Sequence, residues 1–424
     1  MSILQRNRFN FFYFILFIIT IGILFLAFNK ITYIPTFLPA IALLVLYTVR
    51  VNPGIFLKTS VIMPIILFVV LGIYYLNNRL EDLPESYLYP FGVFTLTFRY
   101  FATALFLENI IAYKYKNEAL YKLGKWGLAI MLINSIFTII SEYYYPGASR
   151  NFSKYDLPVW AITHSYAAMY GLPFMISVFL AYYRGNYFVF FLIVLIFITT
   201  IAMAGFFTAL VISIPLAFLG LIFRFKSRTF TTISIIVVIV FLFFSNFLQT
   251  ALVDLLPKLP NKVYTEKVKD ILTLSENPSD NETITQVRGN VYETSFTSFS
   301  KNWLFGSGTW NSVGGHSYWL DKLGFIGIIG TLFYFLMLVV FLRRAYILVP
   351  HQSKKMYLLF SLILFILLFF NPYDHTDFWM IYLIYTPALM AFLLHDKNMQ
   401  DAKMQLQQKS IFKTFQNTTN FYQK

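Results

Sequence analysis

No cysteine occurs anywhere in this sequence of 424 residues. That excludes disulfides, thiolate nucleophiles and cysteine-based metal sites. Charge is scarce as well: Asp, Glu, Lys and Arg together make up 12% of the chain. The signatures of soluble enzymes are missing too. There is no Walker A loop, no HExxH and no GxSxG. The connections between apolar runs on the basic side are short, so a nucleotide-binding domain has nowhere to fold there.

What is present is apolar and aromatic. Hydrophobic residues account for 58% of the chain, with 49 Phe and 30 Tyr, and mean hydropathy is +0.65. A soluble domain of this composition would expose too much apolar surface. The apolar runs are long and continuous, unlike the alternating strands of a transmembrane barrel. The chain therefore reads as an all-α polytopic membrane protein. By the rule of roughly 20 residues per crossing, about twelve spans fall at 9–28, 31–49, 59–77, 88–112, 126–142, 159–183, 187–204, 206–223, 229–250, 318–342, 356–371 and 378–394. The first run is long enough to cross and is followed by more of the same, so it is not read as a signal peptide. In the stretch 187–223 the only hint of a turn is Met203-Ala204-Gly205.

The net charge of +14 fits cytoplasmic helix ends better than nucleic-acid binding. With the N-terminus inside, every cytoplasmic segment is basic. These segments carry Arg6 and Arg8, Arg50 and Lys58, Lys114 to Lys125, Arg184, Arg224 to Arg228, and Arg343 to Lys355. Both termini are then cytoplasmic. The chain divides into nine spans in 1–250, an external loop at 251–317, three spans in 318–394 and a cytoplasmic tail at 395–424.

The external loop is far longer than a helix connection needs. Within it, 263–274 reads as a short helix, 275–282 as a turn-rich linker and 284–302 as a second helix. That second helix has Val287, Val291, Ser295 and Phe299 at intervals of four. Residues 304–315 (LFGSGTWNSVGG) hold four glycines and read as loop.

Polar groups gather on the same side. Arg288 and Tyr292 are four apart on the second loop helix. His316, Ser317 and Asp321 stand at the entry of the tenth span. Arg150 precedes the sixth span and His164 lies just inside it. Arg99 sits in the middle of the fourth span, where a charge is costly and usually functional. Each has a plain structural alternative. Arg288 can be a solvated surface residue, Asp321 a favourable charge at a helix start, and His164 a hydrogen-bond partner of a neighbouring helix. Tyr143-Tyr144-Tyr145 reads as an interfacial belt.

Arg288, the segment WLFGSGTW at 303–310 and the segment GGHSYWLDKLGFIGIIG at 314–330 resemble the bacterial O-antigen polymerase/ligase superfamily. Its pattern is an Arg-bearing loop helix, a Phe-Gly-x-Gly turn, a His-Ser or His-Asn, and a helix opening with Gly-x-x-Gly. The His-Ser form with Asp321 is more similar to capsule and O-antigen polymerases than to ligases. Residues 150–173 resemble the family's first external site, with His164 where Asn is common. One departure stands out. Where relatives carry Ser-Arg after the seventh span, this chain reads Met203-Ala204-Gly205-Phe206, so Arg99 or Arg150 would have to supply that charge.

The resemblance implies a GT-C-like architecture and a metal-independent membrane glycosyltransferase without cofactor. It would join undecaprenyl-pyrophosphate-linked oligosaccharide repeat units at the outer face of the inner membrane. Arg288 and Arg150 would clamp the pyrophosphate by bidentate bonds, and His316 would take the acceptor proton. Tyr292, Asp321, Arg99, His164 and Ser317 would complete the substrate site. The implied partners are the lipid-linked oligosaccharides, the bilayer and a chain-length regulator, with no nucleic acid. The nearest alternative is an O-antigen ligase acting on lipid A core. A transporter or flippase of lipid-linked sugars is the alternative from another class, and it calls for internal repeats and matching broken helices; no repeat is evident.

The charge pattern predicts a topology. Reporter fusions within 255–315 should be active only outside the cytoplasm. Fusions near 118, 226 and 400 should be active only inside, and any reversal overturns the orientation.

Overall fold

The computed structural model describes residues 11–15, 17–18, 33–78, 88–149, 163–164, 166–225, 284–307, 313, 318–370, 378–379 and 381–395. Among them there is helix and no strand. The order is α1 (Tyr33–Val51), a 3-10 turn (Pro53–Leu57), α2 (Thr59–Asn78), α3 (Leu88–Ala112) and α4 (Lys116–Tyr144). Next come α5 (Tyr166–Tyr182), α6 (Tyr187–Met203), α7 (Phe207–Phe225), α8 (Ile284–Lys301), α9 (Tyr318–Leu348) and α10 (Lys354–Phe370). The last is α11 (Ile381–His395), whose first turn, Ile381–Tyr385, is a π-helix.

Among the described residues two helices are long and apolar enough to cross a membrane, Lys116–Tyr144 and Trp319–Leu348. Helix α4 starts well before the expected span at 126. Helix α5 starts at Tyr166 rather than 159, which leaves His164 ahead of the helix instead of inside it. The expected turn at Met203-Ala204-Gly205 is real. Gly205 has φ +74°, its N–H bonds Ala202 O and the Phe206 N–H bonds Ile201 O. This is the Schellman pattern that ends a helix on glycine. The spans expected at 229–250 and over most of 9–28, and the loop helix at 263–274, lie outside the described residues.

Helix α9 is the hub, packing against α2, α3, α8 and α10. Its far end is joined to α2 and α3 by charge. Glu108 of α3, only 1% exposed, accepts from Arg344 Nε at 2.6 Å and from Arg344 Nη2, a two-bond fork. Ser60 of α2 donates to the same carboxylate. One residue on, Asn109 donates to Thr48 of α1 at 2.8 Å. A carboxylate this deep costs several kcal/mol unless paired, so sequence-distant partners are forced together. A second group forms where α5 and α7 pack. Gly220 lies against the Ser177 carbonyl with no room for a Cβ. Arg224 donates to the carbonyls of Leu180 and Tyr183 at the end of α5.

Large apolar side chains also face outward. On α6 they form a continuous face that includes Phe188, Phe191, Leu192 and Leu195.

Glu108→Ala should lower stability by about 3 kcal/mol, because Arg344 would lose its partner. Glu108→Leu combined with Arg344→Met should recover most of that loss. Thermal unfolding of the purified variants checks both; an unaltered E108A protein would show that the pair contributes little.

Candidate active site

The site is built around a break in α9. Gly327 has φ +66° and ψ −170°, a conformation open essentially to glycine alone. The helix folds back there. Trp319 and Phe335 have ring centroids 5.9 Å apart, and Lys322 Nζ lies 5.2 Å from the centre of the Tyr334 ring. In a straight helix, residues 319 and 335 would be roughly 24 Å apart at 1.5 Å per residue. The expected span 318–342 is therefore corrected to two pieces, 318–326 and 328–348, that close on each other in a V. The second piece keeps crossing length, roughly 30 Å.

A break in a helix orphans backbone groups, and the turn at 303–307, with Ser298, satisfies them. The Ile328 N–H donates to Trp303 O at 2.9 Å, and the Ile329 N–H to Leu304 O at 3.3 Å. On the other side of the break, the Gly324 carbonyl accepts from Ser307 N at 2.9 Å and from Ser298 Oγ at 3.2 Å. The turn thus caps both half-helices at once. Contact is too close for side chains. Gly306 has φ +78°, and a Cβ on Gly327 would stand 2.5 Å from both Gly306 N and Leu304 O.

Helix α8 docks onto the first half of α9. Ser295 is fully buried and donates to Asp321 Oδ1 at 2.6 Å. A Cβ on Gly324 would strike the Ser295 carbonyl and Val313, so glycine is what lets the elements approach. Asp321 and Lys322, 4% and 3% exposed, are charges of opposite sign side by side at the start of α9. Trp319 stacks at 6.1 Å on Phe365 of α10.

The sequence candidates fall into separate places. Asp321 lies on the α8–α9 junction, held by Ser295, and the half-buried Tyr292 is three residues before Ser295 on α8. Arg288 is seven residues, close to two turns, before Ser295, hence at nearly the same angular position on α8; its side chain lies outside the described residues. Arg150, His316 and Ser317 lie outside them as well. The described residues nearest His316 and Ser317 are Val313, against Gly324, and Tyr318, the first of α9. On the approach to Arg150, the buried Glu142 accepts from Gly147 N and Ser149 N, each at 2.7 Å. Arg99 is half-buried on α3. Its neighbour Tyr100 meets Tyr334 of α9 edge-on, with centroids 5.6 Å apart, and Lys322 lies over the same Tyr334 ring.

His164 stands apart from this group. It is 1% exposed, and α4 occupies both its ring nitrogens. Asn134 Nδ2 donates to Nδ1 at 3.0 Å, which leaves Nε2–H to donate to Ser135 Oγ at 2.8 Å. Its backbone N–H bonds Thr138 Oγ1. An imidazole wired this way braces the entry of α5 against α4.

Sequence reasoning passed over Ser295, Ser298 and Lys322. Ser295 did carry a signal: it is a polar residue inside the stripe otherwise formed by Val287, Val291 and Phe299. Beside the junction, a flank of α8 from Glu293 to Lys301, including Ser298, lines a cleft of about 520 Å³ with Asn302 and Ser307.

No protein-family model matches this chain, and no characterised protein is similar to it in sequence.

Gly327→Ala should detach the FGSG turn from α9. The expected loss is at least about 2 kcal/mol, since a non-glycine residue held in this sparsely populated region costs about 1–3 kcal/mol and the clash with Leu304 adds to it. Faster limited proteolysis within 302–317, with an otherwise intact digestion pattern, is the diagnostic. Wild-type resistance would rule out the lock.

Proposed function

We propose that this chain is a polytopic glycosyltransferase of the bacterial inner membrane that polymerises lipid-linked oligosaccharide repeat units. Two helices of crossing length and the apolar outward face of α6 support a lipid surround. The observation that carries the reading is the Ser295–Asp321 bond. It ties the helix bearing Arg288 to the start of α9, which directly follows the His316-Ser317 pair in the chain.

Catalysis then needs three things. The pyrophosphate leaves as an anion, and guanidinium groups of Arg288 and Arg150 stabilise that charge as it develops. The acceptor hydroxyl must lose a proton near neutral pH, and an imidazole at His316 suits that step. The reacting sugars must be held in line, which a pre-built α8–α9 junction favours. In the step itself, the acceptor oxygen bonds the donor's anomeric carbon. The bond from that carbon to the phosphate oxygen breaks, and undecaprenyl pyrophosphate departs with the electron pair. His316 takes the hydroxyl proton. The buried Asp321 anchors the start of α9 through Ser295.

Purified protein incubated with lipid-linked repeat units, with and without chelator, tests the reading. Wild type should form a ladder of chain lengths in both conditions. Arg288→Ala should slow transfer by roughly 10²–10³-fold, and His316→Ala by roughly 10²–10⁴-fold. In cells, loss of the protein should leave single repeat units attached. Their complete absence would identify a ligase, and substrate movement that survives R288A with H316A would identify a transporter.

A further inference from the structure

One flank of α8 carries its own chemistry. Glu293, Thr294, Thr297, Ser298 and Lys301 on the helix, with Asn302 and Ser307 beyond it, line a cleft of about 520 Å³. That volume lies within the range of small-ligand sites. At 3.6 residues per turn, Glu293 and Thr297 point almost opposite to Ser295, and so away from the angular position of Arg288. Glu293, Thr294, Thr297 and Lys301 are exposed, while the buried Ser298 marks the edge where the cleft meets the α8–α9 junction.

The composition of the lining selects a ligand class. Hydroxyls and an amide offer both donors and acceptors. One carboxylate and one ammonium leave the lining without net charge. A phosphate gains little from such a pair, and an acyl chain gains nothing from hydroxyls. A polyhydroxylated, uncharged ligand can bond throughout. Trp303 and Phe305 follow Asn302 directly and are 58% and 53% exposed, which provides flat apolar faces of the kind sugar rings cover.

We propose that this cleft binds an uncharged stretch of glycan and holds the growing chain between additions. The idea rests on the polymerase reading and adds a second saccharide site on a flank of α8 different from the one that carries Arg288. Retaining the product locally raises its effective concentration for the next transfer, so the cleft would set chain length rather than the rate of one linkage.

The test uses the full-length purified protein in two assays. On an array of lipid-free bacterial repeat-unit oligosaccharides, neutral and acidic, wild type should bind neutral members. Thr297→Trp, which fills the cleft, and Asn302→Ala, which only trims it, should each weaken binding at least tenfold, while Arg288→Ala should not. With lipid-linked repeat units, both cleft variants should make shorter ladders at an unchanged rate of first linkage. Binding to acidic glycans only, no glycan binding, or wild-type binding and ladders from both variants would overturn the cleft. Cleft-dependent glycan binding without any polymer from wild type would overturn the polymerase reading and leave the cleft standing.

Discussion

Gly306 and Gly327 approach so closely that neither tolerates a side chain, and the candidate site hangs on that contact. The α9 break frees backbone donors at 328 and 329 and a carbonyl at 324, and the segment 303–307 binds all three. Without the turn, those groups would be left in a largely apolar surround, where unpaired backbone polarity costs several kcal/mol. Without the break, the turn would have nothing to cap. The folded-back half-helix in turn brings Asp321 under Ser295 and sets Lys322 over Tyr334. Loop, helix break and α8 thus form one cooperative unit in which removing any part exposes the others.

The few charges in this apolar chain act as fasteners. Glu108 and Arg344 are 236 positions apart and join α3 to α9. Arg224 closes the end of α5 from α7, and Glu142 shapes the turn that leads to Arg150. Two of these groups, Arg224 and Arg344, lie in the basic segments between apolar runs, and both pair helices in the fold. Lys322 differs, because its ammonium lies over the Tyr334 ring beside the α8–α9 junction.

The candidate residues divide by what holds them. His164 is satisfied on every polar atom the structure describes by α4, so its conformation is fixed for bracing. Asp321 is held through one oxygen by Ser295 at the end of a half-helix whose position depends on glycines. Tyr292, half-buried, sits about one turn earlier on the same helix as Ser295. A flank of α8 presents hydroxyls, one carboxylate and one ammonium to a cleft, so one short helix carries two kinds of surface.

Helicity, apolar segments, the turn at Gly205 and the loop helix beginning at Ile284 were all legible in the chain itself. Each follows from local facts: side-chain hydropathy over a turn or more, glycine's access to positive φ, and four-residue spacing. The Gly-rich segments at 304–308 and 324–330 were legible as a motif but not as a mutual lock, and the run at 318–342 read as one straight helix. Apolar periodicity is blind to a single left-handed residue, and the reward for the break lies in carbonyls of Trp303 and Leu304 some 25 residues away. The pairing of Glu108 with Arg344 and the wiring of His164 by Asn134 and Ser135 were likewise beyond the sequence. A buried charge or ring announces that it needs a partner, but only the packing of helices decides which distant side chain answers.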